Sequence, residues 1–329
     1  MRLIRCSLQD PLPPAPRGRA ITIGNFDGVH RGHQAMLALL VAEARHRGLA
    51  ACALTFAPHP RDWFARRAGT PDAVPPRVAT VRDNVGELAR CGVDDLALLR
   101  FDARLAALPA EAFVREVLVQ RLGARHVLVG DDFRFGARRQ GDYALLEAMS
   151  GELGYDVAKL NSYEVHGQRV SSSAVRAALA AGDMDGAAEL LGRPYRISGR
   201  VAHGRKLGRG LGFPTLNVAF GSQRPAAQGI FAVRVHGLAD GPLDGVASLG
   251  VRPTIETGGR VLLEVYVLDW PSALGSDGAY GRCVSVDLLH KLHDERTYPS
   301  LDALRAGIAQ DVADARVWLA ARTAASAPH

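Results

Sequence analysis

The chain has 329 residues, is 47% hydrophobic and 6% aromatic, and carries a formal net charge of +6. That composition excludes a disordered or fibrous chain and suits two domains of ordinary size, each with its own core. Of the 40 basic residues only Lys159, Lys206 and Lys291 are lysines, and the arginines are scattered; this is an arginine-biased composition rather than a nucleic-acid footprint. In chain order, Met1–Cys6 leads into a proline-rich stretch at 11–16 without the apolar core of a secretion signal. Ala20–Ile23 reads as a short strand, Gln34–His46 as an amphipathic helix, and Leu49–Phe56 as a second strand. Val81–Arg90 and Ala110–Leu122 read as helices, alternating with strands at Asp94–Leu99 and His126–Val129. Such alternation predicts a parallel, doubly wound sheet. Leu145–Gly154 reads as a helix, and Val175–Leu191 as a helical hairpin broken at Gly182-Asp183.

Near Gly192-Arg193-Pro194 the pattern changes, and a domain boundary is placed there, giving domains of 1–192 and 193–329. Beyond it come short period-two runs at Arg196–Val201, Phe231–Val235, Gly245–Leu249, Val261–Leu268 and Cys283–Leu289, the signature of an antiparallel barrel or sandwich. An amphipathic helix over Leu301–Ala321 closes the chain. Cys6, Cys52, Cys91 and Cys283 form no CxxC pair and no zinc spacing. No apolar run is long enough to span a bilayer. These features predict reduced thiols, a cytoplasmic location, and neither a membrane nor a nucleic-acid partner.

The most informative stretch is Gly24-Asn25-Phe26-Asp27-Gly28-Val29-His30-Arg31-Gly32-His33-Gln34. A strand runs through a glycine-bearing turn into a helix, which aims free backbone N–H groups at an anion. His30 and His33 are spaced to share one face of the first helical turn. Two imidazoles beside a triphosphate can donate hydrogen bonds where charge builds up during attack on the α-phosphate. Gly32 is expected to leave room for a ligand. No third ligand at metal spacing supports zinc, and the absence of GxxxxGK[ST] excludes a P-loop.

This stretch resembles the HxGH nucleotidyltransferases, and with its flanking residues the adenylyltransferase half of bacterial bifunctional riboflavin kinase/FAD synthetases. The resemblance implies a Rossmann-like domain followed by an antiparallel β-barrel kinase domain with a terminal helix. It implies transfer of phosphorus-containing groups from ATP, with riboflavin, FMN and FAD as substrates and products and Mg²⁺ as the required ion. Gly24, Asn25, Phe26, Asp27 and Gly28 would then hold ATP. Three further blocks match the family in order. Thr55–Pro60 places Phe56 and Pro58 at a strand end as a flavin-facing surface, or Phe56 in ordinary core packing. In Gly130–Gly136, Asp131 and Phe133 are flavin-side candidates, and Asp131 or Asp132 is either a Mg²⁺ ligand or a turn and cap residue. Val170–Arg176 resembles the family's ISSTxxR motif, with Ser172 and Ser173 just before a helix and Arg176 in its first turn, either on ATP phosphates or as a serine N-cap and a surface arginine; Ser173 stands where threonine is usual.

In the second half, His203–Asn217 resembles the glycine-rich loop and PTAN signature of riboflavin kinases, with Leu216 in place of alanine. Gly204, Arg205, Lys206, Gly208 and Arg209 are the phosphate candidates; Thr215 and Asn217 are the metal candidates, neutral oxygen donors suited to Mg²⁺. Glu264 is the one carboxylate in an apolar strand, costly there unless paired or functional. The resemblance makes it the general base. Gly250–Thr254 and Tyr280-Gly281 also fit the family, whereas Ser248 replaces a common asparagine and His293 a frequent arginine. A monomer or weak homo-oligomer is expected.

Overall fold

The structure, a computed structural model, describes residues 1–10, 17–161, 163–165, 167–203, 210, 212–221, 223–251, 261–275 and 277–326. The chain forms two compact units, one of Met1–Pro75 with Asn84–Val170 and the other of Pro76–Asp83 with Ser171–His329.

The first unit is built on six parallel strands: β1 (Arg2–Cys6), β2 (Arg19–Ile23), β3 (Ala50–Ala57), β4 (Asp95–Arg100), β5 (Ala124–Gly130) and β6 (Asp156–Leu160). Their order is β1-β4-β3-β2-β5-β6. Parallel strands covered on both faces need apolar residues on both, and every residue of β2 is buried. One face carries α1 (Arg31–His46), whose Leu37, Leu40, Val41 and Ala44 pack with Ala20, Ala51, Ala53, Leu96 and Leu128. On the other face Phe113, Val114, Val117, Leu118, Leu146 and Met149 meet Ile21, Ile23, Cys52, Leu54, Val127 and Val129. α2 spans Pro60–Arg67, α3 Val81–Arg90 and α4 Ala103–Ala107. The helix expected over Ala110–Leu122 has an α turn, α5 (Ala110–Ala112), continued by a π-helical segment over Phe113–Arg121. α6 is Tyr143–Leu153, closed by the left-handed Gly154.

β1 and β6 were not foreseen. β1 is a short edge strand with only Ile4 and Cys6 buried, and it is tied down by Arg2, whose guanidinium donates to both Asp95 oxygens at 2.9 Å. Arg19, 1% exposed, donates to the same carboxylate at 2.8 Å. The contact lies at the amino ends of the strands, away from their carboxyl edge.

The second unit opens with the hairpin α7 (Ser172–Ala181) and α8 (Met184–Leu191), divided by left-handed Gly182 and the N-cap Asp183. Six antiparallel strands follow: β9 (Tyr195–Ala202), β10 (Thr215–Gly221), β11 (Gly229–His236), β12 (Leu243–Val251), β13 (Val261–Val267) and β14 (Cys283–His293). (β7 and β8 are a two-residue ribbon, Glu164–Val165 with Gln168–Arg169, in the first unit.) The six close into a barrel, which decides between the barrel and sandwich readings. β10 begins inside the stretch His203–Asn217 read as a glycine-rich loop and its signature, and runs on to Gly221. Val201, Val218, Leu249 and Leu263 form one buried row inside the barrel. Outside it lies the C-terminal helix α9 (Leu301–Ser326), whose Ala315 and Leu319 pack on Ala232, Val246 and Leu289.

Candidate active sites

In the first unit the strand order reverses at β2: β3 and β4 lie on one side, β5 and β6 on the other. Open α/β sheets bind ligands at the carboxyl ends of the strands at such a switch point. The turn Gly24–Val29 leaves the carboxyl end of β2, and Asp131–Phe135 leaves that of β5. Two of the sequence motifs therefore flank the switch point.

The turn is conformationally costly. Phe26 (φ 44°), Gly28 (φ 89°) and Val29 (φ 41°) all have positive φ, and for a β-branched residue such as Val29 this is an outlier. Each non-glycine residue so placed costs roughly 1–3 kcal/mol and needs its surroundings to hold it there. Phe26 and Val29 are buried in the core. The Gly28 N–H donates to Asn84 Oδ1 at 2.9 Å, and Gln34 Nε2 donates to the Val29 carbonyl at 2.9 Å. Any Cβ at Gly24 would meet the Phe26 ring at 3.1 Å. Asn25 is exposed and Asp27 buried.

His30 is the N-cap of α1, a place usually taken by Ser, Thr, Asp or Asn. Its Nδ1 accepts the His33 backbone N–H at 3.3 Å. With Nδ1 an acceptor, the neutral ring carries its proton on Nε2. The His33 ring stacks on that of His30 with centroids 3.7 Å apart and planes at 15°. Burial, and then the neighbouring His30, hold His33 well below its ordinary value. His33 Nδ1 is buried with no hydrogen-bond partner among the described residues. No acidic residue occupies the first turn of α1, so nothing there competes with an anion for the helix N-terminus. The pair can donate neutral N–H groups to phosphate oxygens. Gly32 has a reason other than ligand space: a Cβ there would press at 3.3 Å on both the His30 ring and the Val170 carbonyl.

Phe56 and Pro58 lie at and just past the end of β3. Phe56 is half-buried and Pro58 exposed. Phe56 meets Phe101 edge-on at 5.9 Å, and Phe101 also meets Trp63 at 5.6 Å and Phe64 at 5.8 Å. Trp63, Phe64 and Phe101 were missed in the sequence. The adjacent Trp63-Phe64 pair, just beyond Pro60 in a chain poor in aromatics, was the available signal. Phe64 is 52% exposed, so this cluster shows apolar surface at the carboxyl edge. Phe133 stacks on Phe135 at 5.4 Å. Asp131 and Asp132 both face Arg169, at 3.5 and 2.8 Å. Among the described residues no group of three or more His, Cys, Asp or Glu side chains is placed to hold a metal.

Ser172, Ser173 and Arg176 belong to the second unit. The two serines do not precede the helix as expected; they open its first turn, and Ser171 is the cap, accepting from the Ala174 N–H at 3.2 Å. Arg176 donates to the Pro76 carbonyl at 2.8 Å.

On the barrel, Asn217 of β10 lies directly opposite Glu264 of β13, and Glu264 lies opposite Ser248 of β12. Thr215 is opposite Tyr266. Inward positions of β13 are Val261, Leu263, Val265 and Val267, so Glu264 stands on the half-buried outer face rather than within the core. Thr215 and Asn217, two residues apart, share that face. Asn217 is 6% exposed, and its Oδ1 has no partner among the described residues. Ser248 donates to Glu295 Oε1 at 3.0 Å. His293, at the end of β14, bonds to Asp311 Oδ1 of α9 at 2.6 Å. Gly204, Arg205, Lys206, Gly208 and Arg209 lie outside the described residues, as do Arg252, Pro253 and Thr254.

Residues 12–174 match the family model for FAD synthetase, and residues 191–319 match that for riboflavin kinase. A bifunctional riboflavin kinase/FMN adenylyltransferase of Escherichia coli K12 is 45% identical over 306 residues, covering 93% of this chain and 94% of its own. The chain belongs to the bifunctional riboflavin kinase/FMN adenylyltransferase family. The family protein of Pseudomonas fluorescens is also 45% identical, over 94% of this chain and 96% of its own. That of Haemophilus influenzae is 40% identical over 92% and 94%. A solved structure from Streptococcus pneumoniae, named as a macrolide-efflux protein, has a TM-score of 0.73 at 25% identity and covers 96% of this chain and 99% of its own. Among the described residues no helix is long and apolar enough to cross a membrane.

Proposed function

We propose that the chain makes FMN and FAD at two sites: riboflavin and ATP give FMN and ADP, and FMN and a second ATP give FAD and pyrophosphate. The observation that carries this reading is the stacked His30–His33 pair at the head of α1, beside the switch point of the sheet.

In adenylyl transfer, an FMN phosphate oxygen attacks the α-phosphorus of ATP and pyrophosphate leaves. Neutral N–H groups of His30 and His33 and backbone N–H groups of the first turn stabilise the charge on the phosphate oxygens. Gly24, Asn25, Phe26, Asp27 and Gly28 shape the ATP side. Phe56 and Pro58, extended by the Phe64–Phe101 cluster, offer an apolar face to the isoalloxazine, with Asp131 and Phe133 at the neighbouring strand end.

In phosphorylation, Glu264 takes the proton of the riboflavin 5′-hydroxyl as that oxygen attacks the γ-phosphorus and ADP leaves. The buried Asn217 Oδ1, without a partner among the described residues, and the neighbouring Thr215 hydroxyl suit a hard cation, and these two residues would hold Mg²⁺. An ion held by these residues would supply positive charge against the ATP phosphate oxygens. Gly204, Arg205, Lys206, Gly208 and Arg209 complete the phosphate side. We assign the adenylyltransferase to residues 1–192 and the kinase to 193–329. The protein is placed in the cytoplasm, where its four free cysteines stay reduced.

The test is chromatographic. Protein with riboflavin, ATP and Mg²⁺ accumulates FMN and then FAD, and absence of both products refutes the reading. His30→Ala slows FAD formation by about 10²–10³ while sparing FMN formation. Equal loss of both products would contradict two separate sites.

A further inference from the structure

We propose that Asn84 is a positioning residue for adenylyl transfer, acting on His30 through the Gly24–Val29 turn; this rests on the reading of His30 as an adenylyl-transfer residue. The turn holds three positive-φ residues within four positions, Phe26, Gly28 and Val29, and runs straight into His30. A backbone so strained relaxes unless bonds from outside fix it. The side chains of Asn84 and Gln34 reach into it by hydrogen bonds at 2.9 Å. Gln34 stands on α1, the helix the turn feeds, so it moves with the turn. Asn84 comes from α3, 56 residues along the chain, and ties the Gly28 N–H to a distant residue of the first unit.

The chemistry of the bond is specific. Gly28 offers an N–H, so Asn84 must present its carbonyl oxygen, and any replacement must keep an acceptor at that reach. Asn84 is half-buried, and it is not a member of the apolar core that Leu88 anchors from the same helix. Removing its acceptor therefore loosens the turn at Gly28 without emptying the core. The His30 cap then loses its fixed approach, and a displacement of the reacting geometry on the ångström scale lowers kcat by about tenfold to a hundredfold.

The experiment compares Asn84→Leu, of similar size without an acceptor, with Asn84→Asp, of the same size with one, in the full chain. The leucine variant should lose about tenfold or more in kcat for FMN to FAD with KM for FMN little changed. The aspartate variant should keep most of kcat, and both should phosphorylate riboflavin as the parent does. Amide hydrogen exchange at Gly28 should be faster in the leucine variant and unchanged in the aspartate variant. If the leucine variant also loses kinase activity, Asn84→Ala takes its place with the same expectations. Unchanged kcat in the acceptor-less variants, or equal loss in all of them, overturns the proposal. A parent protein that makes FMN but no FAD overturns the adenylyl-transfer reading itself.

Discussion

The His33 ring lies flat on the buried His30 ring at 3.7 Å, at the head of α1. Two imidazolium ions at that distance would repel, and burial has already driven His33 well below its ordinary value of 6.5. His126 is depressed too, first by burial and then by Arg47, and both of its ring nitrogens lack partners among the described residues. For a histidine whose folded value is lowered, the unfolded chain binds the proton first as pH falls. Stability is therefore complete above about pH 6.5 and declines below it as the pH approaches the folded values. The thermal midpoint should be flat from pH 8 to 7 and fall toward pH 5. His126→Leu should raise it at pH 7, by about 1–2 kcal/mol in stability, and make the acid limb shallower. A lowered midpoint would mean that the ring makes bonds worth keeping.

Asn217 and Glu264 face each other across β10 and β13 on the outer wall of the barrel. Glu264→Gln preserves size and removes the base. Riboflavin phosphorylation should fall by about 10²–10⁴, with conversion of supplied FMN to FAD unchanged. A variant with full kinase rate would remove Glu264 from the mechanism.

Asp95 is a buried carboxylate between two guanidinium groups. Burial pushes it up, but hydrogen bonds from Arg2 and Arg19 outweigh burial and hold it below its ordinary value of 3.8. Its contribution is present above the unfolded value and lost as pH falls through the folded one. Asp95→Leu strands the Arg19 charge in the interior and should cost about 3–5 kcal/mol in urea denaturation. A loss below 1 kcal/mol would show that Arg19 finds water.

The four thiols should separate cleanly in a labelling experiment. Cys283 is exposed and Cys91 half-buried. Burial raises Cys6, and raises Cys52 to about 12. Thiolate is the reactive form, so Cys283 should be alkylated first and Cys52 only on unfolding. Early modification of Cys52, mapped by peptide mass, would contradict its burial in the sheet.

The doubly wound sheet and the barrel were legible because Ala20–Ile23 and Val261–Leu268 carry their burial patterns in the local sequence. The histidine motif was legible because strand, turn and helix are contiguous. What escaped was set by distant partners. β1 looks like a polar tail until Asp95 is placed beside Arg2. β10 reads as loop because Pro214 and the glycines before it mask a strand whose partners are β9 and β13. Period-two alternation located Glu264 on one face of β13, but only barrel closure shows that this face points outward. Asn84 carries no local signal at all, since its meaning lies in the amide of Gly28.

A closed barrel has no free edge along which a strand can slide. Asn217, Glu264 and Ser248 face one another because β10, β13 and β12 are locked in a single register. One residue inserted into β13 would turn Glu264 toward the apolar interior and bring an aliphatic side chain to the outer wall. The kinase half should therefore accept many substitutions along these strands but almost no change in their length, and inserted residues should be tolerated only in the loops between them.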